Sequence, residues 1–180
     1  MNSETSSGEL SRIVKVRPLP GDAVEVEADE AERAALAKRF GLPAVKSLRA
    51  EVSLEQDGGS ILARGMLDAQ IIQNCAISGE EFAVSIDEPI LLRFIEARGP
   101  EPSEDEEEIE IELSEEDCDE IEYSGDAFDL GEAIAQSLGL AIDPYAEGPN
   151  ADAARKDAGI SGDDEPSGPL AEALKGLKRD

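Results

Sequence analysis

One feature limits the possible folds more than any other: an alternation of apolar and polar residues that continues across a turn. Leu48, Ala50, Val52 and Leu54 alternate with Arg49, Glu51, Ser53 and Glu55, and the run ends in Gln56-Asp57-Gly58-Gly59. Period-two patterning followed by an Asp-Gly-Gly turn predicts a β-hairpin. In the returning strand, every second residue from Ile61 gives Ala63, Gly65, Leu67, Ala69, Ile71, Gln73, Cys75 and Ile77. The other face reads Leu62, Arg64, Met66, Asp68, Gln70, Ile72, Asn74 and Ala76. One face is nearly all apolar and has to be covered, so the hairpin belongs to a larger sheet with one side in a core.

The rest of the chain supplies the remaining layers. After Ile77-Ser78-Gly79-Glu80-Glu81, Phe82, Val84 and Ile86 alternate with Ala83, Ser85 and Asp87. This third strand is expected to break or reach an edge at Pro89, because proline cannot donate to a ladder. Ile90 to Ile95 then reads as a mostly buried strand. Ile109, Ile111 and Leu113, alternating with Glu110 and Glu112, predict one more strand after the acidic loop Glu101–Glu108.

Two helices are signalled by their ends. Asp29 with Glu32 three residues later has capping-box spacing, Lys38 and Arg39 suit the negative end of the helix dipole, and Gly41 can close it, so a helix is predicted over about 30–40. Asp129 and Glu132 repeat the capping spacing, and Leu130, Ile134, Leu138 and Ala141 share a face before Pro144 stops the helix. Residues 146–169, rich in Asp, Ala, Gly, Ser and Pro, read as a linker. Beyond them Leu170, Leu174 and Leu177 form a possible stripe for docking. The fold class is therefore α+β: an antiparallel β-sheet covered by two helices, with an acidic loop and a flexible C-terminal tail. Whether the sheet is curved or barrel-like stays open at this level.

Charge narrows the function. The chain carries a net charge of -27; residues 1–100 hold 11 basic and 17 acidic side chains, and residues 101–180 hold 5 and 26. Such a balance disfavours an extended nucleic-acid groove and suits a basic partner or simple solvation. Glu104, Asp105, Glu106, Glu107 and Glu108 are the candidate acidic partner-binding run. Arg33, Lys38, Arg39, Lys46 and Arg49, in the better balanced half, are the candidates for RNA or partner contact.

Catalytic and metal chemistry find little support. There is no His, and the two cysteines, Cys75 and Cys118, are 43 positions apart. A zinc site needs about four thiolate or imidazole ligands, and a cysteine nucleophile needs a base. No catalytic residue, metal or cofactor is expected, and no small-molecule substrate. Strand parity puts Cys75 on the apolar face as a small packing residue. The acidic neighbours of Cys118 should keep its thiol unreactive. No apolar run approaches the roughly 18–20 residues of a membrane helix, and MNSETSSGEL lacks a secretory pattern, so a cytoplasmic protein without a membrane partner is expected.

Several ordered segments together resemble a known family. These are Glu30 to Leu42, then Gln73-Asn74-Cys75-Ala76-Ile77-Ser78, then Ile86 to Pro89 with Leu92-Arg93-Phe94, then Phe128-Asp129-Leu130-Gly131-Glu132 through Asp143-Pro144-Tyr145. In that order they look like the YceD family of large-subunit ribosomal RNA accumulation proteins. The resemblance covers roughly residues 11–150 and the leucine-bearing tail. It implies a non-enzymatic bacterial factor for synthesis, processing or stability of the 23S ribosomal RNA, with the large-subunit precursor, a ribosomal protein or the 23S RNA itself as partner. The alternative reading is an acidic chaperone that holds a basic ribosomal protein and never touches RNA. Many relatives have Cys-x-x-Cys where this chain has Cys75-Ala76-Ile77-Ser78, so no metal carries over. On this reading residues 1–10 are disordered, 11–147 form the domain, and 148–180 are a flexible tail with a short helix at 170–178.

Overall fold

The computed structural model describes residues 9–97 and 119–159. Its elements are β1 (Ile13–Lys15), β2 (Val24–Glu27), α1 (Glu30–Phe40), β3 (Ala44–Asp57), β4 (Ser60–Asn74), β5 (Glu81–Glu96), β6 (Asp119–Tyr123), β7 (Ala127–Asp129), α2 (Leu130–Ala141) and α3 (Ala151–Asp157). The class is α+β, as the alternation and capping signals predict. Among the described residues the main sheet has the order β2-β3-β4-β5-β6 and stays open, and β1 and β7 form a separate two-stranded ladder.

The hairpin at the centre follows from the sequence period. β3 and β4 pair antiparallel from Asp57↔Ser60 to Ala44↔Ile72. Gly58, at φ 58°, takes the left-handed turn conformation that residues with a Cβ resist. Ile61, Ala63, Leu67, Ala69 and Ile71 are buried while Arg64, Met66, Asp68 and Gln70 are exposed, so the parity is that of the sequence.

The chain divides into two compact units. The first comprises the chain up to Ile72 together with Ala83–Ile142, and the second Gln73–Phe82 together with the chain from Asp143. In the first, Leu36 of α1, the inward residues of the sheet, Phe128 and the α2 residues Leu130, Ile134 and Leu138 form one apolar cluster. The Phe94 and Phe128 rings stack with centroids 4.1 Å apart.

The N-terminal segment is tied into this unit. Leu10 is fully buried. Ser11 Oγ and the Arg12 backbone N–H donate to the two carboxylate oxygens of Asp129, at 2.7 and 2.8 Å. An apolar side chain and the α2 N-cap thus both engage residues 10–12.

Three further differences from the sequence expectations have physical reasons. β5 runs unbroken from Glu81 to Glu96 through Pro89; among the described residues β6 pairs only with Leu92–Glu96, beyond the proline, so no described β6 residue needs the N–H that Pro89 lacks. β6 lies parallel to β5, so the sheet is mostly rather than wholly antiparallel. In place of an unbroken linker after residue 146 there is α3, which starts after Asn150 and carries Arg155 and Lys156 in its last turn. The expected strand at 109–113 and helix at 170–178 lie outside the described residues.

The second unit is built by backbone hydrogen bonds around Cys75. The Cys75 N–H donates to Glu80 O at 2.8 Å, Gly79 N–H to Cys75 O at 2.9 Å, and Ala76 N–H to Ala146 O at 3.0 Å. Gln73 Nε2 donates to Asp143 O, and Asn150 Nδ2 to a Glu80 carboxylate oxygen at 2.7 Å. Arg155 bridges Glu147 and Asp152.

Candidate partner-binding surface

α1 has two working faces. Leu36 turns into the core and Phe40 packs against it. Glu30, Arg33, Ala34, Ala37 and Lys38, at the spacing of one helical stripe, face the other way and form one wall of a recess of about 470 Å³. Leu42, Pro43, Ala44, Val45 and Lys46 form the opposite wall. The small side chains of Ala34 and Ala37 leave the space open.

Lys46 reaches this recess because β3 is irregular there. The register shifts between Val45, which pairs with Ile71, and Ser47, which pairs with Gln70, so Lys46 is an extra residue in the ladder. Lys46 and Ser47 are consequently both exposed, where strict alternation would turn one of them inward. The bulge aims a lysine at the α1 stripe.

The five cations proposed from sequence separate into two groups. Arg33, Lys38 and Lys46 share the recess. Arg33 Nη1 donates to Ala28 O at 2.7 Å, which anchors its guanidinium, while Lys38 and Lys46 have no ion pair among the described residues. Arg39 is used internally: its two terminal nitrogens donate to both Glu132 carboxylate oxygens at 2.9 and 2.8 Å, and one also reaches Glu9 at 3.1 Å. Its guanidinium also lies 5.4 Å from the Phe40 ring centroid. These hydrogen bonds raise the Arg39 pKa and lower that of Glu132. Arg49 pairs with Glu25 across β2 and β3 at 3.4 Å. Sequence reading missed the recess, although the i, i+3, i+4, i+7, i+8 spacing of Glu30, Arg33, Ala34, Ala37 and Lys38 could have revealed one of its walls. Glu104–Glu108, Cys118, Leu170, Leu174 and Leu177 lie outside the described residues.

Cys75 is buried, as its parity predicts, yet it is more than packing. Its sulfur accepts hydrogen bonds from the backbone N–H groups of Ile77 at 3.4 Å and Ser78 at 3.3 Å. Hydrogen bonding from the Ser78 side chain first, then from the backbone of Ser78, Gly148 and Ile77, outweighs desolvation and lowers the thiol to about 7. The Ser78 side chain decides here, with the surrounding backbone N–H groups behind it.

The fold and recess together define a small α+β protein with a cationic, apolar-lined surface on a strongly acidic body. A family model described as Large ribosomal RNA subunit accumulation protein YceD matches residues 63–178, and the chain belongs to that family. The match begins inside β4, so α1, the Lys46 bulge and the recess precede it. No curated protein and no solved structure matches the chain.

Proposed function

We propose that this protein is a non-enzymatic cytoplasmic factor that supports accumulation of 23S ribosomal RNA and assembly of the large ribosomal subunit. Contact with the precursor runs through Arg33, Lys38 and Lys46. The observation that carries this reading is the clustering of these three cations, with the single carboxylate of Glu30, in a recess otherwise lined by apolar residues in a member of the YceD family. A net charge of -27 does not forbid such a contact. At physiological ionic strength, charges farther than about 8 Å from the recess are largely screened, whereas phosphate in the recess meets the cations directly.

Binding of this kind is salt-dependent in proportion to the phosphates engaged. Three contacts to single-stranded RNA give a log–log salt slope near 2, from about 0.7 per contact. Cells lacking the protein should show a reduced ratio of 23S to 16S RNA, restored by the wild-type chain. The variant Arg33→Glu/Lys38→Glu/Lys46→Glu should lose crosslinking to large-subunit RNA and fail to restore the ratio. A wild-type chain that never crosslinks to RNA would sink the RNA contact.

The charge distribution favours a second reading, the acidic chaperone for a basic ribosomal protein, with Glu104–Glu108 as its contact. In that case the triple variant restores the RNA ratio, and replacement of Glu104–Glu108 by Ser and Gly does not.

A further inference from the structure

Within the first unit, the ends of the β3–β4 hairpin and of β5, together with Tyr123 and the turn ahead of β7, surround another depression, of about 320 Å³. Its polar lining is Arg17, Gln56, Glu96, Tyr123 and Asp126. Tyr123 is only 9% exposed, with its ring tilted against Phe128 at 6.0 Å, and the part left accessible lines the depression. Its hydroxyl has no hydrogen-bond partner among the described residues. Gln56 Nε2 donates to Gly58 O at 3.3 Å and Ser60 O at 3.0 Å, so the amide is oriented and Oε1 is the acceptor left over. The Glu96 and Asp126 carboxylates have no ion pair among the described residues. Arg17, which also lines the depression, is exposed.

Two carboxylates, an amide oxygen and a phenol oxygen make a lining that is rich in acceptors. The two carboxylates, both exposed, outnumber the one cation of the lining, Arg17, so the depression favours a cationic ligand over a phosphate. The complementary group is cationic, planar and rich in N–H: a guanidinium presents five donors in a fixed fork and can lie against the tyrosine ring. An ammonium offers three donors and no plane. Glu96 also borders a neighbouring depression of about 750 Å³ that holds Glu120 and Glu122, where Arg93 is occupied by Asp57 at 2.6 Å.

We propose that the depression lined by Gln56, Glu96, Tyr123 and Asp126 binds an arginine side chain of a basic polypeptide segment, with a neighbouring basic residue of that segment reaching Glu120 and Glu122. The site uses none of the α1 and β3 cations, so it stands or falls independently of the RNA contact.

The probe is a fluorescent nona-arginine peptide titrated into the full-length protein at about 0.15 M salt, with nona-lysine as comparison. Any acidic protein attracts such peptides, so the test is comparative. The variant Glu96→Gln/Tyr123→Phe/Asp126→Asn should weaken nona-arginine binding by at least about tenfold and abolish the preference for arginine over lysine. The charge-matched control Glu51→Gln/Glu55→Gln, on exposed positions of β3, should weaken it by less than about twofold. Equal losses in the two variants, or a wild-type protein without arginine preference, would overturn the proposal. If the triple variant does not fold, as judged by circular dichroism, Glu96→Gln and Tyr123→Phe singly carry the same comparison. Each must then lower the arginine preference, and an unchanged preference in both counts against the site. The ratio of 23S to 16S RNA, read in parallel, reports on the other surface.

Discussion

Glu132 and Glu32 are each gripped by a guanidinium, and this sets how the protein responds to acid. Arg39 holds the first, and Arg12 holds both oxygens of the second at 2.6 and 3.0 Å. Both carboxyls titrate below the ordinary range, mainly through these hydrogen bonds. A depressed folded pKa stabilises the fold above the unfolded value and loses that stabilisation as pH falls through the folded one. Arg39→Met should therefore cost about 1 kcal/mol at pH 7, after allowance for partial exposure, and progressively less below about pH 4. Urea denaturation of both proteins at pH 7 and pH 3 measures the difference. Cys75 gives a second residue-level expectation. In a Cys118→Ser background, alkylation should follow a titration centred near pH 7, and a midpoint near the ordinary 8.5 would contradict the hydrogen bonds that the Ser78 side chain and the neighbouring backbone give the sulfur. The capping residues of α1 and α2 were legible in the sequence because their partners are three positions away. The role of Arg39 was not, because Glu132 is 93 positions distant and only the tertiary fold brings it close.

At the level of elements, one tight constraint is where α2 meets the N-terminal segment. A Cβ on Gly131 would fall 2.6 Å from the Arg12 backbone nitrogen and 2.9 Å from Leu10 O, against backbone that cannot rotate away. Gly131→Ala is expected to destabilise by about 2 kcal/mol or more, visible as a lowered thermal midpoint, and faster proteolysis of the N-terminal segment should accompany it. Glycine at position 131 gave no signal in the sequence beyond its presence in a helix. The β3–β4 hairpin was legible because burial on one face imposes the period, and α1 because both ends carry their caps. β1, β2 and β7 have three or four residues each, too few for a period to register. The recess was half legible: its cations could be named, but the bulge that aims Lys46 depends on pairing with β4, and neighbouring residues do not encode it.

For the whole molecule, a charge of -27 on 180 residues makes self-repulsion the dominant long-range electrostatic contribution. Added salt weakens pairs such as Arg49 with Glu25 by little, since exposed pairs contribute little, and relieves the repulsion throughout. The thermal midpoint should therefore rise between 10 mM and about 0.5 M sodium chloride, and a fall would mean that local pairs outweigh the net charge. The parallel placement of β6 beside β5 carries a different consequence, which concerns what the chain tolerates. Two parallel neighbours cannot be joined by a tight turn, so the connection between Glu96 and Asp119 must be long enough to reach from the end of β5 back to the level of Leu92. The demand falls on contour length. Cutting the connection to a few residues should detach β6 from β5 whatever their identity, as loss of amide protection over Asp119–Tyr123 would show, so the reach of this stretch is a condition of the ladder.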